Sequence, residues 1–305
     1  LTESIENIFS TNIELLGDMD KAVYYFREQE YDKALNLVAD SIPQINLVLQ
    51  AIIKDREYFN LVDTESMYEM LTGILEAQKN KDFILLADLL ELQLVNFLIG
   101  VQELIIGKEE IIFNEDNYRE NINMLLERQT GFTEDMKEPI NTALLLENGY
   151  RVEFTSCGLM TLAGENDGAK FYFHTNNKIL TEAFLLARHW YQENKRKYII
   201  YGLGMGYHIN ELIRLAPEAE IEIYECDRNV VQLACAFAQV KRLLSDEHLK
   251  LVYDPELTLL ESRIAALQPE EAFAVHYPSY KNIRDAQGRK RMDQKLGWPD
   301  ALSQP

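Results

Sequence analysis

The sequence predicts two architectures in one chain: an all-α helical bundle over residues 1–138, and an α/β domain built on a parallel sheet over residues 139–305. Three observations predict this. Apolar residues recur at three- and four-residue spacing through the first half. From about residue 139, short β-rich runs alternate with helical ones. One of those runs ends in three alternate glycines, Gly202, Gly204 and Gly206. With 305 residues and 47 % hydrophobic content, the chain is long and apolar enough for two ordinary cores.

In the first half the helical stripe runs through Ile5, Ile8 and Phe9, then Ala22, Tyr25 and Phe26, then Ile45, Val48, Leu49 and Ile52. Ala22, Phe26, Tyr31, Ala34 and Leu35 are spaced like the packing residues of a tetratricopeptide helix pair. No second copy follows at the ~34-residue period of such repeats, so two ordinary bundle helices are expected. Asp63 and Thr64 can cap a helix running to about Lys79. Asn80–Asp82 connects it to a helix over Phe83–Ile106, with Gly107 expected to end it. That last helix is long enough to span a bilayer, yet it carries Asp88, Glu91, Gln93 and Asn96 near its middle. One mid-helix Asp costs about 2.5–3.5 kcal/mol on insertion, so a buried bundle helix and no membrane partner are expected.

Charge is unevenly shared. Residues 1–140 hold 28 acids against 11 bases, a net of −17 out of −20 for the chain. Such a surface repels nucleic acid and anionic lipid and favours solubility. Three cysteines, Cys157, Cys226 and Cys235, show no metal-ligand spacing, and free thiols in a reducing, cytoplasmic setting are expected. The aromatic cluster Tyr24, Tyr25, Phe26 and Tyr31 predicts a helical half that offers a face to a protein partner or a second copy, with burial against the α/β domain of the same chain as the competing expectation.

Glu138–Pro139 breaks the helical pattern. Tyr150–Phe154 and Lys170–His174 read as a β-hairpin around the turn-rich Gly164–Gly168. Helix Lys178–Gln192, strand Tyr198–Tyr201, helix Ile209–Leu215 and strand Glu220–Glu225 follow. Helix Val230–Leu244, strand Leu249–Val252, helix Glu256–Leu267 and strand Ala272–His276 complete the alternation. Strands and helices alternating in this way give a parallel sheet with right-handed crossovers. Lys281–Pro305 is charged and interrupted by Gly and Pro, and no further strand is expected there.

Tyr198 to His208 is a buried strand, a loop with glycines at 202, 204 and 206, and a helix start. Glycine permits a tight turn and close approach of a ligand to the backbone, and the helix N-terminus adds free N–H groups. Glu225 ends the next strand, where an acid can accept hydrogen bonds from ribose hydroxyls, and Asp227 is the second candidate. The predicted fold is therefore Rossmann-like, in its methyltransferase-like form, with a nucleoside-type small molecule as ligand. The glycine spacing is that used for S-adenosylmethionine, although Ile200 stands where methyltransferases of this kind carry an acid. His208, just inside the helix, can touch a phosphate or carboxylate or cap its own helix. His276, in the run His276-Tyr277-Pro278-Ser279-Tyr280, ends the last strand on the crevice side. His174 and Asn176 can reach the same side, and Asp254 can meet a base ring or start a helix. His189 and His248 are expected at the surface. No metal-ligand cluster and no Ser/His/Asp or Cys/His set is visible by spacing.

The run from Asn148 to about Ile283 resembles the N-terminal region of the motility accessory factor (Maf) proteins, the flagellin nonulosonate transferases. The similar pieces are Phe171-Tyr172-Phe173-His174 with the Lys178–Trp190 helix, Tyr201-Gly202-Leu203-Gly204-Met205-Gly206-Tyr207-His208, and Tyr224-Glu225-Cys226-Asp227. In that family transferase chemistry belongs to a following domain opened by another glycine-rich strand–loop signature, and no such segment follows Ile283. The resemblance implies an accessory domain binding a nucleotide or nucleotide-sugar in a bacterial glycan or motility pathway. A reduced S-adenosylmethionine-dependent methyltransferase and a non-catalytic scaffold are the alternatives.

Overall fold

A computed structural model describes residues 3–109, 115–138, 140–238 and 240–296. It is mixed α/β, with an N-terminal helical region and a four-stranded parallel sheet. The chain divides into two compact units, 1–112 with 154–159, and 113–153 with 160–305.

The first unit is helical. Helices α1 (Glu3–Arg27) and α2 (Tyr31–Lys54) pair, and Leu15, Leu16, Met19, Ala22 and Phe26 bury the inner face of α1. Asp63 caps α3 (Thr64–Lys79) by accepting from Glu65 N and Ser66 N, as its position predicts. Asp82 caps α4 (Phe83–Leu89), which continues through a π-helical turn at Leu90–Leu94 into α5 (Val95–Lys108). Gly107 does not end this helix: it lacks a positive φ, and the helix continues to Lys108, whose ammonium bonds Tyr58 O and Asn60 Oδ1. Residues 83–108 are long and apolar enough to cross a membrane by length and composition. In the fold Leu86, Leu90, Leu94, Leu98 and Ile105 are buried in the bundle, and Asp88 and Glu91 pair with Arg27 at 2.5 and 3.1 Å. Asn12 of α1 donates to Leu98 O and Gln102 Oε1, and Gln102 donates to Phe9 O, tying α1 to α5.

The second unit begins earlier than the expected residue 139; Pro139 itself lies outside the described residues. Helix α6 (Glu115–Arg128) places Tyr118, Ile122 and Leu125 in the core of the parallel sheet, and Asn121 Nδ2 bonds Cys235 O. A short 3-10 turn at Glu134–Lys137 and helix α7 (Thr142–Glu147) lead to a small sheet of β1 (Arg151–Phe154), β2 (Met160–Asn166) and β3 (Ala169–Tyr172), in that order. The expected two-strand hairpin is therefore three strands. Gly164–Asn166 belongs to β2, and the turn is only Asp167–Gly168, both at positive φ.

Helix α8 (Ile179–Trp190) precedes β4 (Lys197–Tyr201), α9 (Tyr207–Leu215) and β5 (Glu220–Glu225). Then come α10 (Arg228–Phe237), α11 (Lys241–Ser245), β6 (Leu249–Tyr253), α12 (Thr258–Ala265) and β7 (Glu271–Val275). The expected Val230–Leu244 helix is thus two. Short α13 (Tyr277–Lys281) and α14 (Ala286–Leu296) close the described chain. The second lies in the charged stretch where no further strand is expected, and its Met292 joins Leu257, Leu260 and Ile283 in a core cluster. Residues 297–305 of that stretch lie outside the described residues.

The parallel strands lie in the order β6-β5-β4-β7. Alternation along β4 sorts its side chains: Tyr198 and Ile200 join one core, Ile199 and Tyr201 the other. From β4 the chain builds outward through β5 and β6, then returns to the opposite side of β4 as β7. The order thus reverses between β4 and β7, the place where sheets of this kind open a crevice at their carboxyl ends.

Candidate functional site at the head of the parallel sheet

The glycine loop lies between β4 and α9, and Gly202, Gly204 and Gly206 all have positive φ. Two of them are also crowded by the chain itself. A Cβ on Gly202 would stand 2.4 Å from Ser279 Cβ and 2.9 Å from His276 Cβ. One on Gly204 would stand 2.8 Å from His174 Nε2 and 3.0 Å from His276 Cε1. Residues 202–209 are buried, so the loop is packed on both sides by protein.

On the β5 side stands Glu225, 1 % exposed. Its Oε2 accepts from Leu203 N at 3.0 Å, and its Oε1 accepts from Cys226 N and Asp227 N, each at 3.0 Å. Burial first, and then the charge of Asp227, raise its pKa to about 7 against the lowering effect of these N–H donors. Asp227 caps α10 through Asn229 N at 2.8 Å, and its other oxygen accepts from Tyr150 Oη and from Asn282 Nδ2. Asp254 behaves as a helix-start residue: its Oδ2 accepts from Leu260 N at 2.8 Å.

On the β7 side three histidines meet. His174 comes just after β3, His208 is the second residue of α9, and His276 directly follows β7; their exposures are 1, 0 and 0 %. One ligand nitrogen from each lies within 4.8 Å of the other two. The His208 and His276 rings stack at 4.4 Å, and His174 lies 4.9 Å from His276 and 5.2 Å from His208. Each ring is held through one nitrogen. His208 Nε2 bonds Gly202 O at 3.2 Å, His276 Nδ1 bonds Ser279 Oγ at 2.8 Å, and His174 Nε2 accepts from Met205 N at 3.2 Å. The buried atoms His208 Nδ1, His276 Nε2 and His174 Nδ1 have no hydrogen-bond partner, although Glu182 Oε1 lies 3.4 Å from the last. Burial, then the neighbouring His174, holds His208 well below its usual pKa. Burial, then His208 and His174, does the same to His276.

The predicted residues therefore separate into two groups around one loop. Gly202, Gly204, His208 and His276 belong to the histidine side, together with His174. Glu225 and Asp227 belong to the β5 side, and Asp254 to the start of α12. Gly206 caps α9 in a left-handed conformation. Asn176 is exposed, as are His189 and His248. Spacing gave no metal-ligand signature because the three histidines come from different elements, and only the strand order brings them together. Ser279, which holds the His276 ring, and Glu182, which faces His174, had no signal in the sequence.

Residues 3–104 match the family described as "Domain of unknown function (DUF8042)". No curated protein matches the chain. A solved structure, MNMC2 from Aquifex aeolicus, is similar at 16 % identity and a TM-score of 0.23, covering 51 % of this chain. The match spans 60 % of that chain's length.

Proposed function

We propose that the α/β unit is a Rossmann-like domain related to the Maf N-terminal region. The chain serves a cytoplasmic binding or accessory role in a bacterial glycan or motility pathway and does not itself transfer sugar or methyl groups. The strand order supports the fold reading, since numbering the four strands as they appear gives 3-2-1-4. The accessory reading is carried by one observation: the face of the glycine loop that a transferase opens to its cofactor is filled by His276, Ser279 and His174. The position two residues before the first glycine is the fully buried Ile200 and offers no carboxylate.

A nucleotide or nucleotide-sugar is the ligand class that the resemblance implies. It would approach from the β5 side, where Cys226, Asp227 and Tyr253 are half-buried. A carboxylate has about four acceptor positions, so the three N–H bonds to Glu225 leave room for one ribose hydroxyl. Incubation of the purified chain with S-adenosylmethionine, and separately with nucleotide-sugars, should show binding of the nucleotide class without turnover. At about pH 8, where Glu225 is ionised, Glu225→Gln should weaken that binding by about 1.5–3 kcal/mol, the worth of bonds to a charged group. Turnover of either donor, abolished by Gly204→Leu, would overturn the accessory role. Equal binding by wild type and Glu225→Gln would remove the ribose contact.

A further inference from the structure

We infer that His174, His208 and His276 form a three-imidazole site for a divalent transition-metal ion of the zinc class, seated at the reversal of strand order between β4 and β7. Five histidines occur in the whole chain, and three of them are buried side by side at this one point. A lone buried histidine is an ordinary core residue when both nitrogens are satisfied. Here three adjacent rings are each left with a buried nitrogen lacking a hydrogen-bond partner; one shared ion takes up those of His208 and His276, while the His174 nitrogen faces Glu182.

The outer contacts fit as well. A metal-bound histidine typically donates its other ring N–H to a carbonyl, carboxylate or water, which fixes the ring and its tautomer. With Nε2–H of His208 donating to Gly202 O, the Nδ1 lone pair is free for a metal. With Nδ1–H of His276 donating to Ser279 Oγ, the Nε2 lone pair is free. For His174, the bond accepted from Met205 N places the proton on Nδ1, which faces Glu182 Oε1. Its Nε2, beside Gly204 and the His276 ring, is the third ligand, and the ion replaces the long Met205 contact. Glu182 is itself fixed, because its other oxygen accepts from Thr175 N at 2.8 Å.

The ion class follows from the donors. Imidazole suits zinc and its neighbours, whereas magnesium and calcium want oxygen. Zinc–nitrogen bonds of about 2.0–2.1 Å place tetrahedral ligands about 3.3–3.4 Å apart. One nitrogen of each ring already lies within 4.8 Å of the other two, so an ion would need to draw them closer by about 1–1.5 Å. Three protein ligands leave a fourth position, which a water molecule completes. This also accounts for Gly202 and Gly204: side chains there would strike Ser279 and the ligand rings.

The test uses the full chain without a polyhistidine tag, stripped by a chelator and dialysed against Zn²⁺, with bound metal measured by elemental mass spectrometry. Co²⁺ serves as the spectroscopic probe. Stoichiometric zinc, the strong visible absorption of four-coordinate Co²⁺, and loss of both in His208→Ala and His276→Ala are expected. Glu182→Gln should weaken zinc binding about 10–100-fold, the usual effect of losing an outer partner. No stoichiometric uptake would mean that water fills the cluster, and would overturn the site. So would uptake unchanged in His276→Ala, which would place the ion on the acidic surface. Unchanged affinity in Glu182→Gln would take that carboxylate out of the arrangement. If the alanine variants do not fold, the wild-type cobalt spectrum decides, because six-coordinate surface carboxylates give only a weak one.

Discussion

At Glu225 the chain holds a carboxyl group whose proton is retained more tightly in the folded state than in the unfolded one, about 7 against 4.5. The folded state therefore binds more protons between those values, and stability falls as pH rises through that window before levelling above about 7. A shift of that size corresponds to roughly 3 kcal/mol. His208 and His276 act with the opposite sign. Their folded pKa values are depressed, so stability falls as pH drops below the unfolded value of 6.5. The two effects overlap near pH 5–7, and a variant is needed to separate them. Urea unfolding of wild type and Glu225→Gln between about pH 5 and pH 8 should give a stability difference that shifts against wild type as pH rises to about 7 and then stays flat. A difference independent of pH would show that Glu225 does not titrate there. The residue was legible in the sequence as an acid ending a strand. Its engagement by three backbone N–H groups was not, because the loop that supplies Leu203 N becomes its neighbour only when β4 and β5 pair in register.

Among the elements, alternation and caps predicted most of what formed. Asp63 marked α3, and the runs 198–201, 220–225, 249–252 and 272–276 fall on the four parallel strands with ends shifted by only a residue or so. The failures share a cause, in that a local signal was overridden by packing. Gly164-Glu165-Asn166 has turn composition, yet it pairs with Phe171 to Ala169 as the end of β2. The reason is visible at Gly164, where an added Cβ would stand 2.9 Å from Phe171 Cζ and 3.2 Å from Phe173 Cε2, so the glycine makes room for two aromatic rings. The charged 286–296 segment, where only the absence of a strand was expected, forms a helix whose Met292 enters a core cluster. The histidine cluster was unreadable for the same reason, since its members are joined by strand order and not by spacing. Gly164→Val tests this account. Strand propensity alone favours valine, but overpacking typically costs about 1–3 kcal/mol. The variant should show a lower urea midpoint at unchanged slope, with Phe173, the neighbour of His174, displaced. A higher midpoint would mean that the glycine serves no packing purpose.

For the molecule as a whole, net charge is set by composition, and folding cannot remove it. Residues 1–112 hold 21 acids against 8 bases, a net of −13, which leaves −7 for the remainder of the −20. Two like charges about 15 Å apart in water repel by about 0.3 kcal/mol, and compaction of the first unit brings many such pairs to that range. Opposing this are exposed ion pairs such as Arg27 with Asp88 and Glu91, each worth about 0–1 kcal/mol. Repulsion among the surplus acids therefore outweighs these attractions, and salt should stabilise the chain. Raising NaCl from about 0.01 M to about 0.15 M shortens the screening length from about 30 to about 8 Å. Thermal unfolding followed by far-ultraviolet circular dichroism should move upward over that range. The shift should be larger for the more acidic helical unit if the two units melt separately. The second unit behaves differently, because Arg263 with Glu222 and Glu271, and Lys197 with Glu220 and Glu222, pair along the sheet and are partly shielded. A midpoint that falls with added NaCl would show that specific pairs such as these, and not the net charge, govern the response of the whole molecule.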